Sequence, residues 1–110
     1  MANQFKKSME TGIGTNPVEV YATGASTRAT VIGINIANIT NGTIQVSIKF
    51  RDDTSAEGYI VKDVSIAKGT ALAAMGGDQK LVLEPNNFIV VVSNTENSAD
   101  VIVSALEITT

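Results

Sequence analysis

The chain has no cysteine, no histidine and no tryptophan among its 110 residues. Without thiols there is no disulfide, no thiolate nucleophile and no zinc held by cysteine. Without imidazole, the usual general base and the usual transition-metal ligand are missing. Serine and threonine are plentiful, but an activated hydroxyl needs a base beside it. The expectation is therefore a protein that is not an enzyme and holds no cofactor. Positive charge is also scarce: eight Lys and Arg against eleven Asp and Glu leave a net charge of -3. A nucleic-acid partner would require a basic face to neutralise phosphates, so none is expected. The longest apolar run, residues 88–92, is far short of the ~20 residues that a membrane span requires. No apolar stretch of signal-peptide type opens the chain, so the expectation is a soluble protein made in a reducing cytosol, with no membrane partner.

What is present is aliphatic. Hydrophobic residues make up 44% of the chain and aromatics only 5%, so one core must be filled by Val, Ile, Leu and Ala. Isoleucine and valine favour strands, because a branched Cβ packs well on a pleated surface. The stretch 30–51 carries the clearest pattern. Ile44, Val46, Ile48 and Phe50 alternate with Gln45, Ser47, Lys49 and Arg51, and Ile32, Ile34 and Ile36 repeat at the same period. Alternate side chains of a strand point to opposite faces, so each half buries one face and wets the other. Asn41-Gly42 lies between the halves and suits the positive φ angles of a tight turn, which predicts a β-hairpin.

Further strands are expected at 18–22, 59–66, 70–75, 80–83, 88–93 and 101–108. They are separated by turn signals at Thr23-Gly24-Ala25-Ser26, Lys68-Gly69, Gly76-Gly77 and Glu84-Pro85-Asn86-Asn87. The imperfect alternation of 59–66 predicts an edge strand or a bulge. About eight short strands with a turn near every tenth residue point to an all-β fold, an antiparallel β-sandwich of jelly-roll type. Residues 16–110 form this domain. Residues 1–15 lack strand alternation and contain Gly12 and Gly14, so they read as an extended N-terminal arm. Phe5, Met9 and Ile13 recur there at spacing four, a weak helical hint.

Candidate sites are few. Asp52, Asp53 and Glu57 are the densest acidic group, but they lack the alternating ligand spacing of a calcium loop and read as a solvated turn. Gly76-Gly77-Asp78-Gln79 lacks the Lys-Ser/Thr pair of a phosphate cradle and reads as a turn. Two Asn-x-Thr sequons, at Asn38 and Asn41, have no weight without a secretion signal. The apolar residues are more telling. The last two expected strands are apolar on both faces, whereas one face of an antiparallel sandwich strand is normally wet. A second apolar face needs a cover, either the arm or a neighbouring subunit. The candidate contact residues are therefore Phe5, Met9 and Ile13 of the arm, Phe88, Val90 and Val92, and Val101 and Val103.

The segments VIGINIANIT (31–40), YIVKDVSIAKGTALAAMGGDQKLVLEPNNFIVVVSN (59–94) and ADVIVSALEIT (99–109) resemble small virion structural proteins of tailed bacteriophages of marine and cyanobacterial hosts. The matching features are strand-and-turn motifs. Ala67 stands where the family often has proline, and Pro85-Asn86-Asn87 replaces its usual Gly-Asp; both changes keep a turn. The resemblance implies a β-sandwich without catalytic or cofactor residues. It implies a structural part of a phage particle, as capsid decoration or as a piece of the neck, tail or baseplate. Its partners would be other virion proteins and further copies of itself, and its location the virion after synthesis in the host cytoplasm. The alternative expectation is a carbohydrate-binding module on a phage fibre, with Tyr21 and Tyr59 as stacking rings. On the structural reading the arm packs its apolar residues on a neighbouring subunit, so a chain starting at Asn16 is expected to fold but not to join the particle.

Overall fold

The computed structural model describes residues 2–75 and 80–109. Every regular element in them is a strand: β1 (Ala2–Ile13), β2 (Val18–Ala22), β3 (Thr27–Asn38), β4 (Ile44–Arg51), β5 (Glu57–Ile66), β6 (Ala71–Met75), β7 (Leu81–Leu83), β8 (Phe88–Ser93) and β9 (Ala99–Thr109). They form two antiparallel sheets. Sheet A has the order β1-β9-β3-β6, with β7 also paired to β3, and sheet B the order β2-β8-β4-β5. The chain thus pairs outermost with outermost: β1 with β9, β2 with β8, β3 with β6 and β7, β4 with β5. With β6 and β7 counted as one interrupted strand, this is the eight-strand jelly roll expected from the sequence. The Gly76–Gln79 turn lies outside the described residues.

The core fills the space between the sheets. Sheet A contributes Val31, Ile34 and Ile36 of β3, Leu83 of β7 and Ala99, Val101, Val103 and Ala105 of β9. Sheet B answers with Val20, Ile44, Val46, Ile48, Ile89 and Val91. The aliphatic composition is what lets the sheets pack at the ~10 Å spacing of a sandwich.

Three expectations need correction. First, β3 and β4 do not form a hairpin, because they belong to opposite sheets. Both strands carry a face that must be buried, and an arch across the sandwich turns the two faces toward each other. Neither Asn41 nor Gly42 has positive φ; among the described residues those positions are Ser55, Asp63, Asn86, Asn97, Gly12 and Gly69. Second, Ile32 is exposed while Val31 is buried, because the β3–β9 register shifts between Val31 and Gly33. A bulge inserts one residue and moves the buried set from odd to even numbers. Third, residues 1–15 are not a free arm. They hold β1, a full edge strand of sheet A that pairs in register with β9. A second register shift lies between Glu10 and Ile13, where Gly12 has φ 65°. That bulge turns Ile13 into the core, while Phe5 and Met9 stay on the outside. Glycine suits residue 12 because its φ is positive; a β-carbon there would stand 2.6 Å from Asn97 Oδ1, which the exposed asparagine side chain could relieve by moving.

The irregular β5 behaves as its sequence suggests. It is the edge of sheet B, its register against β4 shifts twice, and Asp63 has φ 51°. Gly69, with φ 75°, closes the β5–β6 turn, where Thr70 N donates to Ala67 O at 3.2 Å.

Candidate assembly surface

Register decides which side chains share a face. On sheet A, Phe5 stands opposite Leu106, Leu106 opposite Thr30, and Thr30 opposite Val82. A second row runs Met9, Ile102, Asn35, Ala73. Between the rows, Ile32 protrudes from its bulge, and with Phe5, Lys7 and Ser104 it lines a shallow open groove. These residues all point away from the core. Phe5 is 78% exposed, Met9 64% and Val82 63%, with Ile32 and Ile102 also exposed. Charge within the paired strands of this face is limited to Lys7, Arg28 and Asp100. Exposed apolar side chains grouped in this way make the outer face of sheet A the candidate contact surface.

Sheet B solves the same problem internally. Val90 of β8 points outward yet is 1% exposed. It lies between Glu19 and Lys49 in register, and the neighbouring row sets Phe88 beside Arg51 and Arg51 beside Glu57. Arg51 Nη1 meets Glu19 Oε2 at 2.7 Å, Arg51 Nε meets Glu57 Oε2 at 3.1 Å, and Lys49 Nζ lies 3.7 Å from Glu57 Oε1. The Arg51 guanidinium sits 5.4 Å from the Phe88 ring centre, and Lys49 and Lys62 flank the Tyr59 ring at 5.4 and 5.3 Å. The aliphatic stems of these long side chains cover the apolar strand while their charges stay wet. The outer apolar face of β8 therefore has its cover within the chain, and β9 does not.

The expected contact residues divide accordingly. Phe5 and Met9 are on the bare face of sheet A. Ile13, Val101 and Val103 are in the core and present no surface to a partner. Val90 is sealed under the ion pairs, and Phe88 and Val92 are half-buried on the same side of sheet B. Sequence reading missed Ile32, Val82, Ile102 and Leu106. Alternation in 101–108 separates Ile102, Leu106 and Ile108 from Val101 and Val103, but it does not say which set faces in.

The other candidates have local duties. Asp52 accepts hydrogen bonds from Thr54 Oγ1, Thr54 N and Ala56 N, so its carboxylate shapes its own loop and is held below the usual carboxylate range. Tyr59 is exposed beneath its two lysines. Tyr21 is buried and donates its hydroxyl hydrogen bond to Glu107 Oε2. Burial first, then the hydrogen bond to Glu107 and its charge, push the Tyr21 phenol well above its ordinary value of about 10. The unfolded chain releases this proton near pH 10 while the folded chain keeps it. The stability from the pair is thus complete below pH ~10 and declines as pH rises above it. In urea titrations, wild type should exceed Tyr21→Phe by a constant margin from pH 7 to 9. The margin should shrink above about 10; a margin that grows there contradicts the pairing.

No protein-family model matches the sequence, and no curated protein matches it. Solved structures do match the fold. A chain from Bacillus endospore appendages, described as a novel family of disulfide-linked pili, superimposes with a TM-score of 0.58 at 11% identity, over 98% of this chain and 87% of that one. A chain from the acid-stable capsid of Helicobacter pylori bacteriophage KHP30 superimposes with a TM-score of 0.55 at 13% identity, over 97% of this chain and 87% of that one. At such identities the likeness is one of fold, and it extends over essentially the whole sandwich.

Proposed function

We propose that this chain is a structural subunit of a virion, a non-enzymatic part of a phage particle that acts by burying the outer face of sheet A against neighbouring protein. The observation that carries the reading is the contrast between the two sheets. One outer face is closed by its own ion pairs and ring contacts, and the other leaves Phe5, Met9, Ile32, Val82 and Ile102 in water. The area is adequate. The long strands β1, β9 and β3, of eleven to twelve residues, with the short β6 and β7 beside them, make a face of up to about 40 by 19 Å, or at most roughly 750 Å². A stable interface covers about 800 Å² on each partner. The sequence resemblance to tailed-phage virion proteins and the fold shared with a phage capsid chain support the same reading. The pilus-like fold neighbour supports the wider class of repeated assembly, although a chain without cysteine cannot be joined by disulfides. The carbohydrate reading loses a ring, because Tyr21 is buried.

Mass spectrometry of purified particles tests the location: absence of the chain from intact virions overturns it. The surface is tested by Phe5→Glu with Ile102→Glu. Both side chains point into solvent, so the folded spectrum should be unchanged. Each loses roughly 1.5–3 kcal/mol of potential apolar burial, which together should cost at least about 100-fold in incorporation. Incorporation at the wild-type level would move the contact elsewhere.

A further inference from the structure

We infer that two copies of this chain join edge to edge through β1, as an antiparallel two-fold pair centred on Ser8 that sets Lys6 of each copy opposite Glu10 of the other. This inference rests on the assembly reading above and names the partner, a second copy.

The starting observation is the condition of the sheet edges. β2 has five residues and a register shift at its centre. β5 is broken by two shifts and a positive φ. β6 and β7 are pieces of five and three residues. Short and bulged edges of this kind resist pairing with another chain. β1 differs, since it pairs with β9 without interruption from Ala2 to Glu10 and its other side faces solvent. That side presents a row of backbone donors and acceptors ready to take a strand.

Symmetry then limits the register. Opposite residues in an antiparallel pair share a face, so a two-fold axis must pass through a residue. Centring on Lys6 or Lys7 places that lysine against its own copy, and like charges directly opposite are unfavourable. Centring on Phe5 or Met9 brings no opposite charges together. Centring on Ser8 sets Lys6 opposite Glu10 twice, once on each side of the axis. Lys6, Ser8 and Glu10 share the inward-facing side of β1, opposite Ala105, Val103 and Val101. Lys6 and Glu10 make no ion pair within their own chain among the described residues. The same register places Met9 opposite Lys7 on the outer side, so the outer faces of the two A sheets lie side by side, with a Lys7 on each side of the axis. The lysines thus discourage wrong registers and, with Glu10, select one.

Sedimentation of the full chain at millimolar concentration should show a dimer. Lys6→Glu and Glu10→Lys should each weaken it by about tenfold or more, and the double exchange should restore it, because the opposite charges are again paired. The absence of native cysteine permits a direct register test. Ser8→Cys should form a disulfide-linked dimer on mild oxidation, and a mixture of Lys7→Cys with Met9→Cys should cross-link while neither does so alone. A monomer at every concentration, or single reversals without effect, overturns the pairing. So does cross-linking that ignores the register. Because these measurements use free protein, a failure here leaves the particle test above unaffected, and the converse also holds.

Discussion

A chain that begins at Asn16 should fail to form a stable sandwich. The reason is not the loss of an assembly arm but the loss of a structural strand. Ile13 is 1% exposed and packs among the core residues of both sheets. Removing a buried isoleucine side chain alone costs about 2–5 kcal/mol. The end of β1 is also tied down by polar contacts. Ile13 O accepts from Ser98 N at 2.9 Å and from Ser98 Oγ at 3.2 Å, Gly14 O accepts from Ser93 N at 2.9 Å, and Gly12 N donates to Asp100 Oδ1 at 3.0 Å. Ser98 is fully buried and Ser93 nearly so, so deletion leaves their groups to find water or remain unpaired. Farther along, Ser8 Oγ donates to Val20 O at 2.6 Å and connects the two sheets at this edge. Deletion would also expose β9, a long apolar strand, as a new edge. A domain of this size has only about 5–15 kcal/mol of total stability, so the sum approaches all of it. Circular dichroism and size exclusion should find the truncated chain unfolded or aggregated. A soluble, cooperatively melting monomer within about 2 kcal/mol of wild type would show β1 to be an accessory after all. The milder variant Ile13→Ala should melt early yet remain a sandwich, which separates the core contribution from that of the strand.

The strands were legible because period two is a local property. Alternation at 44–51 places Ile44, Val46 and Ile48 inward whatever the strand pairs with, and the turn at Pro85-Asn86 follows from proline's fixed φ and asparagine's tolerance of φ 62°. Three kinds of information were not local. Sheet membership was one: the arch between β3 and β4 and a hairpin would bury the same residues, and only the pairing of β3 with β9 distinguishes them. Bulges were another. A one-residue slip at Gly12 turned Ile13 from a surface candidate into core, and a slip near Ile32 did the reverse. The third was the cover on sheet B, which brings Glu19, Arg51, Glu57 and Phe88 together from four strands. None of those residues is unusual in its own segment. The proposed assembly surface was therefore half legible, through Phe5 and Met9, and the rest awaited the register.

The arch that replaces the expected hairpin is organised largely around one side chain, and its removal should be a costly polar substitution. Asn38 is 7% exposed at the end of β3, where the chain leaves sheet A for sheet B. Its amide is fully used. Nδ2 donates to Gly42 O and to Ile66 O, each at 2.8 Å, and Oδ1 accepts from Thr40 N and Thr40 Oγ1, each at 2.8 Å. One residue thus shapes the 38–44 connection and fastens it to the end of β5. Asn38→Ala leaves Ile66 O without this donor in a buried position, which alone costs about 1–3 kcal/mol, and lost order in the arch adds to it. We expect a destabilisation of about 2–4 kcal/mol and a fall in melting temperature of roughly 8–20 °C. Asn38→Asp is the sharper test, since it keeps the size and both acceptor bonds to Thr40 but cannot donate when ionised. Its carboxylate would face two carbonyl oxygens, so at pH 7 it should be at least as destabilised as alanine. Protonation supplies one donor, so its folded-state pKa should be raised, and stability relative to wild type should recover as pH falls through that value. Urea titrations of both variants between pH 4 and 8 would measure this. An aspartate variant close to wild type at pH 7, or one that weakens further on acidification relative to wild type, would show that the arch does not depend on the donor side of Asn38.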